Sequence, residues 1–191
     1  MRMTTTAAQP GLAAFLSNYR NTLQSIFRDR ASALRLNTGR GLPPSIVREI
    51  LSRGPLTTFI PERFGGRGEE PYECLAVLDT TAYESLALCL TLGINGALFL
   101  QPVSKYARDE VKGPIFERFL HHQNMGGLMM TEPGFGSDAL NMRTRFVEKS
   151  GDGSFRIEGV KHWAGLTGLA DYWLVLARSG SEDGHLGRDV G

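Results

Sequence analysis

The spacing of apolar residues changes near position 126, and this change most limits what the chain can fold into. Before it, apolar residues recur at intervals of three and four, which is typical of amphipathic helices. After it, short apolar segments alternate or run unbroken, as strands do. Helices followed by strands predict an α+β fold, with an all-helical domain over 1–125 and an antiparallel β-domain over 126–191.

The helical half begins with an apolar stripe on one predicted helix. Its members are Leu12, Phe15, Leu16, Tyr19, Leu23, Ile26 and Phe27. A second helix is expected to open at Pro43 and Pro44, because proline suits the first turn of a helix. The residues of that helix expected to face inward are Ile46, Val47, Ile50 and Leu51.

Three further helices are predicted after the turn-rich loop 55–68. The first of these, which is the third helix of the chain, is expected to bury one face, made of Leu75, Leu78, Ala82, Leu86 and Cys89. After a break at 93–96, two more helices are predicted over 97–107 and 111–122, and Asp109 is the expected N-cap of the last one.

Four strands are predicted in the second half, over 127–131, 141–149, 155–163 and 172–178. The glycines at 151 and 153 predict a tight hairpin turn between the second and third strands. The fourth strand is almost wholly apolar and is therefore expected to be buried on both faces.

Composition narrows the classes of partner. The formal net charge is +1, so no global field favours nucleic acid or an anionic membrane. The longest uncharged run, 85–104, is interrupted by glycine, asparagine, glutamine and proline, which favours buried helices over a membrane span. Cys74 and Cys89 are predicted to be free thiols on one helix. We therefore expect a reducing compartment, the cytoplasm, with the mitochondrial matrix as the alternative because the first residues are hydroxyl-rich and lack acids.

The segment TEPGFGSD at 131–138 predicts a cofactor loop. It follows a short apolar strand, and its glycines permit a close approach of the backbone to a ligand. The hydroxyls of Thr131 and Ser137 can each donate a hydrogen bond to a ring carbonyl or a phosphate oxygen.

Four motifs in this order resemble those of the acyl-CoA dehydrogenase family of flavoproteins. They are IPERFGG at 60–66, MTEPGFGSD at 130–138, IEGVKHW at 157–163 and ADY at 170–172, and the resemblance extends over 42–178. It implies a helical domain, a middle β-domain and a C-terminal helical domain, with FAD bound non-covalently between the last two.

The resemblance also assigns roles to particular residues. The backbone from Leu128 through Met130 to Thr131 would run along the flavin ring, and the Thr131 hydroxyl would bond its pyrimidine end. Gly136 and Ser137 would lie near the FAD pyrophosphate, with Ser137 also near the substrate pantetheine. Trp163 would pack against the flavin ring.

Two positions depart from the family pattern. Leu128 replaces a common aromatic residue, and Gly165 stands where a threonine or serine usually bonds the flavin near N5. Thr167 is a candidate substitute if the loop 164–168 folds back. Glu132 is expected to accept hydrogen bonds from loop amides, and no residue of this chain aligns with the catalytic glutamate. That base is expected in a C-terminal domain, so the chain by itself resembles half of an enzyme.

The resemblance implies an oxidoreductase of fatty acid metabolism that introduces a double bond between the α and β carbons of an acyl-CoA. Electrons would pass from FAD to an electron-transfer flavoprotein or another acceptor, and the complete protein is expected to be a homo-oligomer. Two alternatives stay open: a flavin oxidase or monooxygenase of the same superfamily, and a truncated or split subunit without activity. No metal site is expected, since His121 and His122 point apart and have no cysteine or carboxylate cluster beside them.

Overall fold

The computed structural model describes residues 10–30, 42–134, 136–149 and 153–179. These residues form two compact units, and the division falls between Asn124 and Met125. The first unit is helical and the second contains the strands. The predicted α+β fold is therefore confirmed.

Six α-helices make up the described part of the first unit. They are α1 (Leu12–Gln24), α2 (Pro44–Leu51), α3 (Pro71–Glu84), α4 (Leu86–Asn95), α5 (Gln101–Tyr106) and α6 (Asp109–His121). Wider π-helical turns extend α1 over Ser25–Asp29 and join α4 to α5 over Gly96–Leu100. Two 3₁₀ turns, Pro55–Phe59 and Glu62–Phe64, lie between α2 and α3.

The first two helices form as their sequence predicts. The apolar stripe of α1 and its π turn buries Phe15, Tyr19, Leu23 and Ile26. All four inward residues predicted for α2 are buried, and Pro44 stands in its first turn. The Tyr19 hydroxyl lies 2.9 Å from that of Thr81 on α3, so a buried polar pair is satisfied within the core.

The predicted third helix is instead two helices, and its predicted buried face is wrong. Ser85 has extended dihedral angles, and its hydroxyl accepts the amide of Leu88 at 3.3 Å, which ends α3 and starts α4. Leu75 and Leu86 are 65% and 67% exposed. The residues that α3 buries are Cys74, Val77, Thr80 and Thr81. The two cysteines are free, as predicted, but they lie on different helices.

The predicted break at 93–96 is also wrong, because the helix continues through a π turn. A π turn shifts the hydrogen-bond pattern and lets Pro102, which has no amide hydrogen, enter the first turn of α5. The whole stretch Leu86–Tyr106 is long and apolar enough to cross a membrane by length and composition alone. That criterion is also met by core helices of globular proteins, so the absence of a span stays a prediction. Asp109 is the first residue of α6, not its N-cap, which is Arg108.

The second unit contains five short strands in the residues described. They are β1 (Gly126–Met129), β2 (Arg145–Glu148), β3 (Phe155–Glu158), β4 (Tyr172–Val175) and β5 (Arg178–Ser179). The antiparallel pairing predicted for this half holds between β2 and β3. The other two pairings, β1 with β4 and β2 with β5, are parallel, which corrects the purely antiparallel prediction.

Two further strand predictions change in detail. The stretch predicted as one strand over 172–178 is divided between β4 and β5, and β4 is half-buried, not buried on both faces. Gly151 and Asp152 of the predicted hairpin turn lie outside the described residues. On β1, a Cβ atom at Gly127 would lie 2.5 Å from the ring of Trp173, so the glycine permits the packing of that ring on the strand.

Candidate functional site

A buried ion pair joins Glu132, the second residue of the predicted cofactor loop, to Lys161. The Lys161 ammonium group is 2.9 Å from a Glu132 carboxylate oxygen, and the two side chains are only 7% and 3% exposed. The carboxylate also accepts the backbone amides of Arg143 at 2.5 Å and Thr144 at 2.8 Å. The predicted role of Glu132 as an acceptor for loop amides is thus confirmed.

These contacts decide the protonation state of Glu132. Burial alone would raise the pKa of this carboxyl, because it removes the charge from water. Hydrogen bonds from Thr144, Arg143 and Lys161 favour the anion more strongly and lower the pKa to about 2. The carboxylate is therefore ionised at neutral pH and fully occupied by its partners, which makes it unsuitable as a general base.

The segment 130–132 is bonded to 161–162 at two successive carbonyl groups. Lys161 donates from its ammonium group to the carbonyl of Met130 at 3.0 Å. The backbone amide of His162 donates to the carbonyl of Thr131 at 2.8 Å. Met130, Thr131 and Trp163, which the family resemblance assigns to the flavin, are thereby held on adjoining stretches of chain.

Trp163 combines a strained backbone with an exposed ring. Its φ angle is +59°, in the left-handed region that large side chains rarely adopt, and its side chain is the most exposed large apolar one described, at 87%. A large aromatic surface left in water is unfavourable unless something covers it. The position therefore presents a flat, exposed apolar surface.

The other predicted site residues differ in placement. Leu128 is half-buried on β1, where it pairs with Leu174 of β4. Gly136 and Ser137 are exposed in the loop that follows the turn at Gly134, whose φ is +84°. No contact described for Gly136 or Ser137 joins them to Trp163, so their roles at a pyrophosphate and a pantetheine stay predictions.

The turn after Trp163 contains Gly165 and Thr167, and both are exposed. The turn folds back on Ala164, whose carbonyl accepts both the amide of Thr167 at 3.1 Å and its hydroxyl at 2.7 Å. The hydroxyl proton of Thr167 is therefore already donated within the turn. The predicted role of Thr167, to supply the hydroxyl that Gly165 lacks, stays a prediction. It would require the hydrogen bond from Thr167 to the carbonyl of Ala164 to break.

Sequence reasoning missed Lys161 as a functional residue. The sequence carries no clear signal for it, because Lys161 stands next to His162 in a stretch that also contains Glu158, and a lysine in such a stretch is usually exposed. In the sequence, Asp171 stands out only as a member of the ADY motif at 170–172. Its carboxylate accepts the amide of Met125 at 2.8 Å, and its own amide donates to the carbonyl of Met125 at 2.8 Å, which joins the starts of β1 and β4.

The absence of a metal site stays a prediction for the chain, and the structure bears on it only through the described residues. Among them, no group of three or more histidine, cysteine, aspartate or glutamate side chains is placed to hold a metal ion.

Comparisons with known proteins assign the family. The family model for the N-terminal domain of acyl-CoA dehydrogenases matches residues 11–122, and the model for the middle domain matches residues 127–190. The chain therefore belongs to the acyl-CoA dehydrogenase family, as its motifs predicted.

Individual relatives agree with this assignment. A probable medium-chain specific acyl-CoA dehydrogenase of Caenorhabditis briggsae is 31% identical over 149 residues, which are 78% of this chain and 36% of that protein. Butyryl-CoA dehydrogenase from Megasphaera elsdenii superposes with a TM-score of 0.80 at 19% identity, over 96% of this chain and 47% of that one.

An acyl-CoA dehydrogenase from Bacillus anthracis, in a structure complexed with FAD, gives a TM-score of 0.74 at 18% identity. The superposition covers 93% of this chain and 30% of that one. The chain thus spans less than half the length of each of these relatives.

Proposed function

We propose that this chain forms the N-terminal and middle domains of an FAD-dependent acyl-CoA dehydrogenase. The observation that carries the proposal is Trp163, an exposed aromatic ring on a strained backbone beside the Met130–Thr131 segment. Stacking on such a ring is favourable for a large planar heterocycle. Family membership supports the reaction class, and the FAD in the Bacillus anthracis structure supports the cofactor.

The residues present fit a flavin. Trp163 offers an aromatic face that is not covered by the second unit, and Met130, at 38% exposure, offers backbone and side chain next to it. Thr131 is half-buried, and its hydroxyl is a donor suited to a pyrimidine carbonyl. In this assignment Leu128, Met130, Thr131, Gly136, Ser137, Trp163, Gly165 and Thr167 are the residues of this chain that line the cofactor. FAD, when bound, accepts the hydride released as the acyl Cα–Cβ bond is oxidised.

The chain's own part in the reaction is to bind and orient the cofactor and to exclude water from one side of it. It does not supply the base in our proposal, because Glu132 is ionised and fully hydrogen-bonded and lies buried away from solvent. The base, the electron-accepting partner flavoprotein, homo-oligomer formation and a cytoplasmic or mitochondrial location are parts of the proposal for the whole protein.

Anaerobic titration of the purified full-length protein with acyl-CoA thioesters tests the proposal. We expect bleaching of the absorption bands of oxidised flavin as the bound FAD is reduced. A panel of acyl chains of different length and branching would define the substrate. A protein that binds no FAD, or whose bound FAD no acyl-CoA reduces, contradicts the proposal.

A second candidate is a flavin oxidase or monooxygenase of the same family. Gly165 favours it, because this position offers no hydroxyl and the hydroxyl of Thr167 is donated to Ala164 at 2.7 Å. The environment of the reacting part of the flavin would then differ from that in the dehydrogenases. Air admitted after anaerobic reduction separates the two: slow reoxidation supports the dehydrogenase, and rapid reoxidation with formation of hydrogen peroxide or an oxygenated product supports the oxidase or monooxygenase.

A further inference from the structure

We propose that Lys161 is a positioning residue, which holds the strained Trp163 and the Met130–Thr131 segment in one arrangement before FAD binds. This inference rests on the proposed function, since it concerns the face assigned to the flavin. Lys161 does not reach that face itself, because its side chain is buried in the second unit at 7% exposure.

The ammonium group of Lys161 has a partner for each of its three hydrogens. They are the carbonyl of Met130 at 3.0 Å, the carboxylate of Glu132 at 2.9 Å and the sulfur of Met142 at 3.8 Å. The first two partners belong to the residues on either side of Thr131, at the start of the predicted cofactor loop. A single side chain is thus bonded to the backbone just before Thr131 and to the side chain just after it.

Glu132 extends this arrangement to a third stretch of chain. Its carboxylate accepts the amides of Arg143 and Thr144, just before β2. The stretches 130–132, 142–144 and 161–163 therefore meet at one buried ion pair. Charge-assisted hydrogen bonds of this kind are stronger and more directional than neutral ones, so they restrict the relative movement of the three stretches.

The strain at Trp163 explains why such restraint is needed. A left-handed conformation at a large residue is unfavourable and persists only where the surrounding structure enforces it. On the N-terminal side, Lys161 and the amide of His162 are bonded to consecutive carbonyls of Met130 and Thr131. On the C-terminal side, the turn closed on Ala164 begins at the next residue. Release of Lys161 weakens the N-terminal anchor, which then depends on the His162 amide alone.

A buried ion pair is weak evidence for stability, because well-packed apolar side chains stabilise a core as well or better. The presence of a charge pair at this point is therefore better explained by the geometry that it imposes. Removal of Lys161 should disturb the orientation of Trp163 and weaken FAD binding by more than its effect on folding accounts for.

The test compares Lys161→Met with Arg156→Met in the full-length protein labelled with 5-fluorotryptophan. Arg156 is the matched control, because it forms an ion pair with Glu158 at 2.6 Å in the same unit but on an exposed surface. The fluorine resonance of Trp163 is assigned by its loss in Trp163→Phe. It reports the environment of this ring without FAD, and flavin fluorescence quenching then gives the Kd for FAD.

We expect Lys161→Met to shift or broaden the Trp163 resonance and to raise the FAD Kd roughly tenfold or more, and Arg156→Met to change neither. In a Trp163→Ala background, the effect of Lys161→Met on Kd should fall well below its effect in the wild type, because the two residues act through one geometry. An unchanged Trp163 resonance, or the same fold-change in Kd in both backgrounds, overturns the proposal.

A second variant covers the case in which Lys161→Met does not fold. Glu132→Asp shortens the carboxylate by one methylene and weakens the same ion pair, so it should displace the Trp163 resonance and raise the Kd for FAD. A wild-type resonance and a wild-type Kd in this variant contradict the positioning role. If the wild type binds no FAD, the proposed function fails, and the fluorine spectra still decide whether Lys161 positions Trp163.

Discussion

Replacement of Glu132 by glutamine measures how much the buried carboxylate stabilises the second unit as an anion. Its pKa is lowered from the ordinary value of 4.5 to about 2: burial opposes the anion, and the hydrogen bonds from Thr144, Arg143 and Lys161 outweigh burial. At about 1.4 kcal/mol for each pH unit, this difference corresponds to about 3 kcal/mol of stability at neutral pH. The Glu132→Gln variant keeps the shape of the side chain and removes this charge.

The sign of the pH dependence follows from the lowered pKa. A carboxyl group that is more acidic in the folded protein stabilises it fully above its unfolded pKa, and this contribution is lost as the pH falls towards about 2. The wild type should therefore exceed Glu132→Gln in free energy of unfolding at neutral pH. This gap should narrow by about 3 kcal/mol between about pH 5 and about pH 2.

Urea unfolding followed by tryptophan fluorescence provides the assay. Both tryptophans of the chain, Trp163 and Trp173, belong to the second unit, so the signal reports the unit that contains Glu132. Glu158→Gln is the control, because the ion pairs of Glu158 lie on an exposed surface and contribute little. A gap between wild type and Glu132→Gln that stays constant from pH 5 to pH 2 would refute the reasoning.

Two further predictions concern the helical unit. Gly96→Ala should lower its free energy of unfolding by about 1–3 kcal/mol, because the new Cβ would lie 2.5 Å from the ring of Phe59. Gly113→Ala should raise the free energy of unfolding by about 0.5–1 kcal/mol, because its Cβ meets nothing within 4 Å and alanine favours a helix over glycine. Chemical denaturation monitored by circular dichroism checks both signs, and equal effects would contradict the packing. Cys89 should react with a thiol reagent faster than Cys74, which is buried and donates to the carbonyl of Thr58 at 3.1 Å. The reaction rates of the two single cysteine-to-serine variants test this, and a faster Cys74 would be inconsistent with its burial.

The sequence predicted those parts of the fold in which one interaction dominates. The stripe of α1 and the proline start of α2 follow from hydrophobic periodicity and from the missing amide of proline, and both are local properties. The buried face of α3 was predicted wrongly because leucines were expected inside. The core accepts Thr81 instead, since its hydroxyl is satisfied by Tyr19 and by the carbonyl of Val77.

Helix ends and strand partners were harder to predict, because no single local interaction decides them. Ser85 is an ordinary N-cap residue, but its signal was obscured by the continuous apolar sequence around it. Parallel pairing of β1 with β4 joins stretches more than forty residues apart, and no local pattern encodes such a partner. The motifs predicted the stretches of the candidate site, whereas the strain at Trp163 and the buried contacts of Lys161 arise only in the folded chain.

Titration with FAD of the full-length wild type and of Trp163→Ala tests the central claim, that this exposed ring and the neighbouring Met130–Thr131 segment form a flavin-binding face. Leu90→Ala is the control, since it removes an exposed apolar side chain, 61% exposed, from the helical unit. We expect tight binding to the wild type and to the control, and a Kd roughly tenfold higher for Trp163→Ala, from the lost stacking area. Equal affinities for wild type and Trp163→Ala would contradict the account.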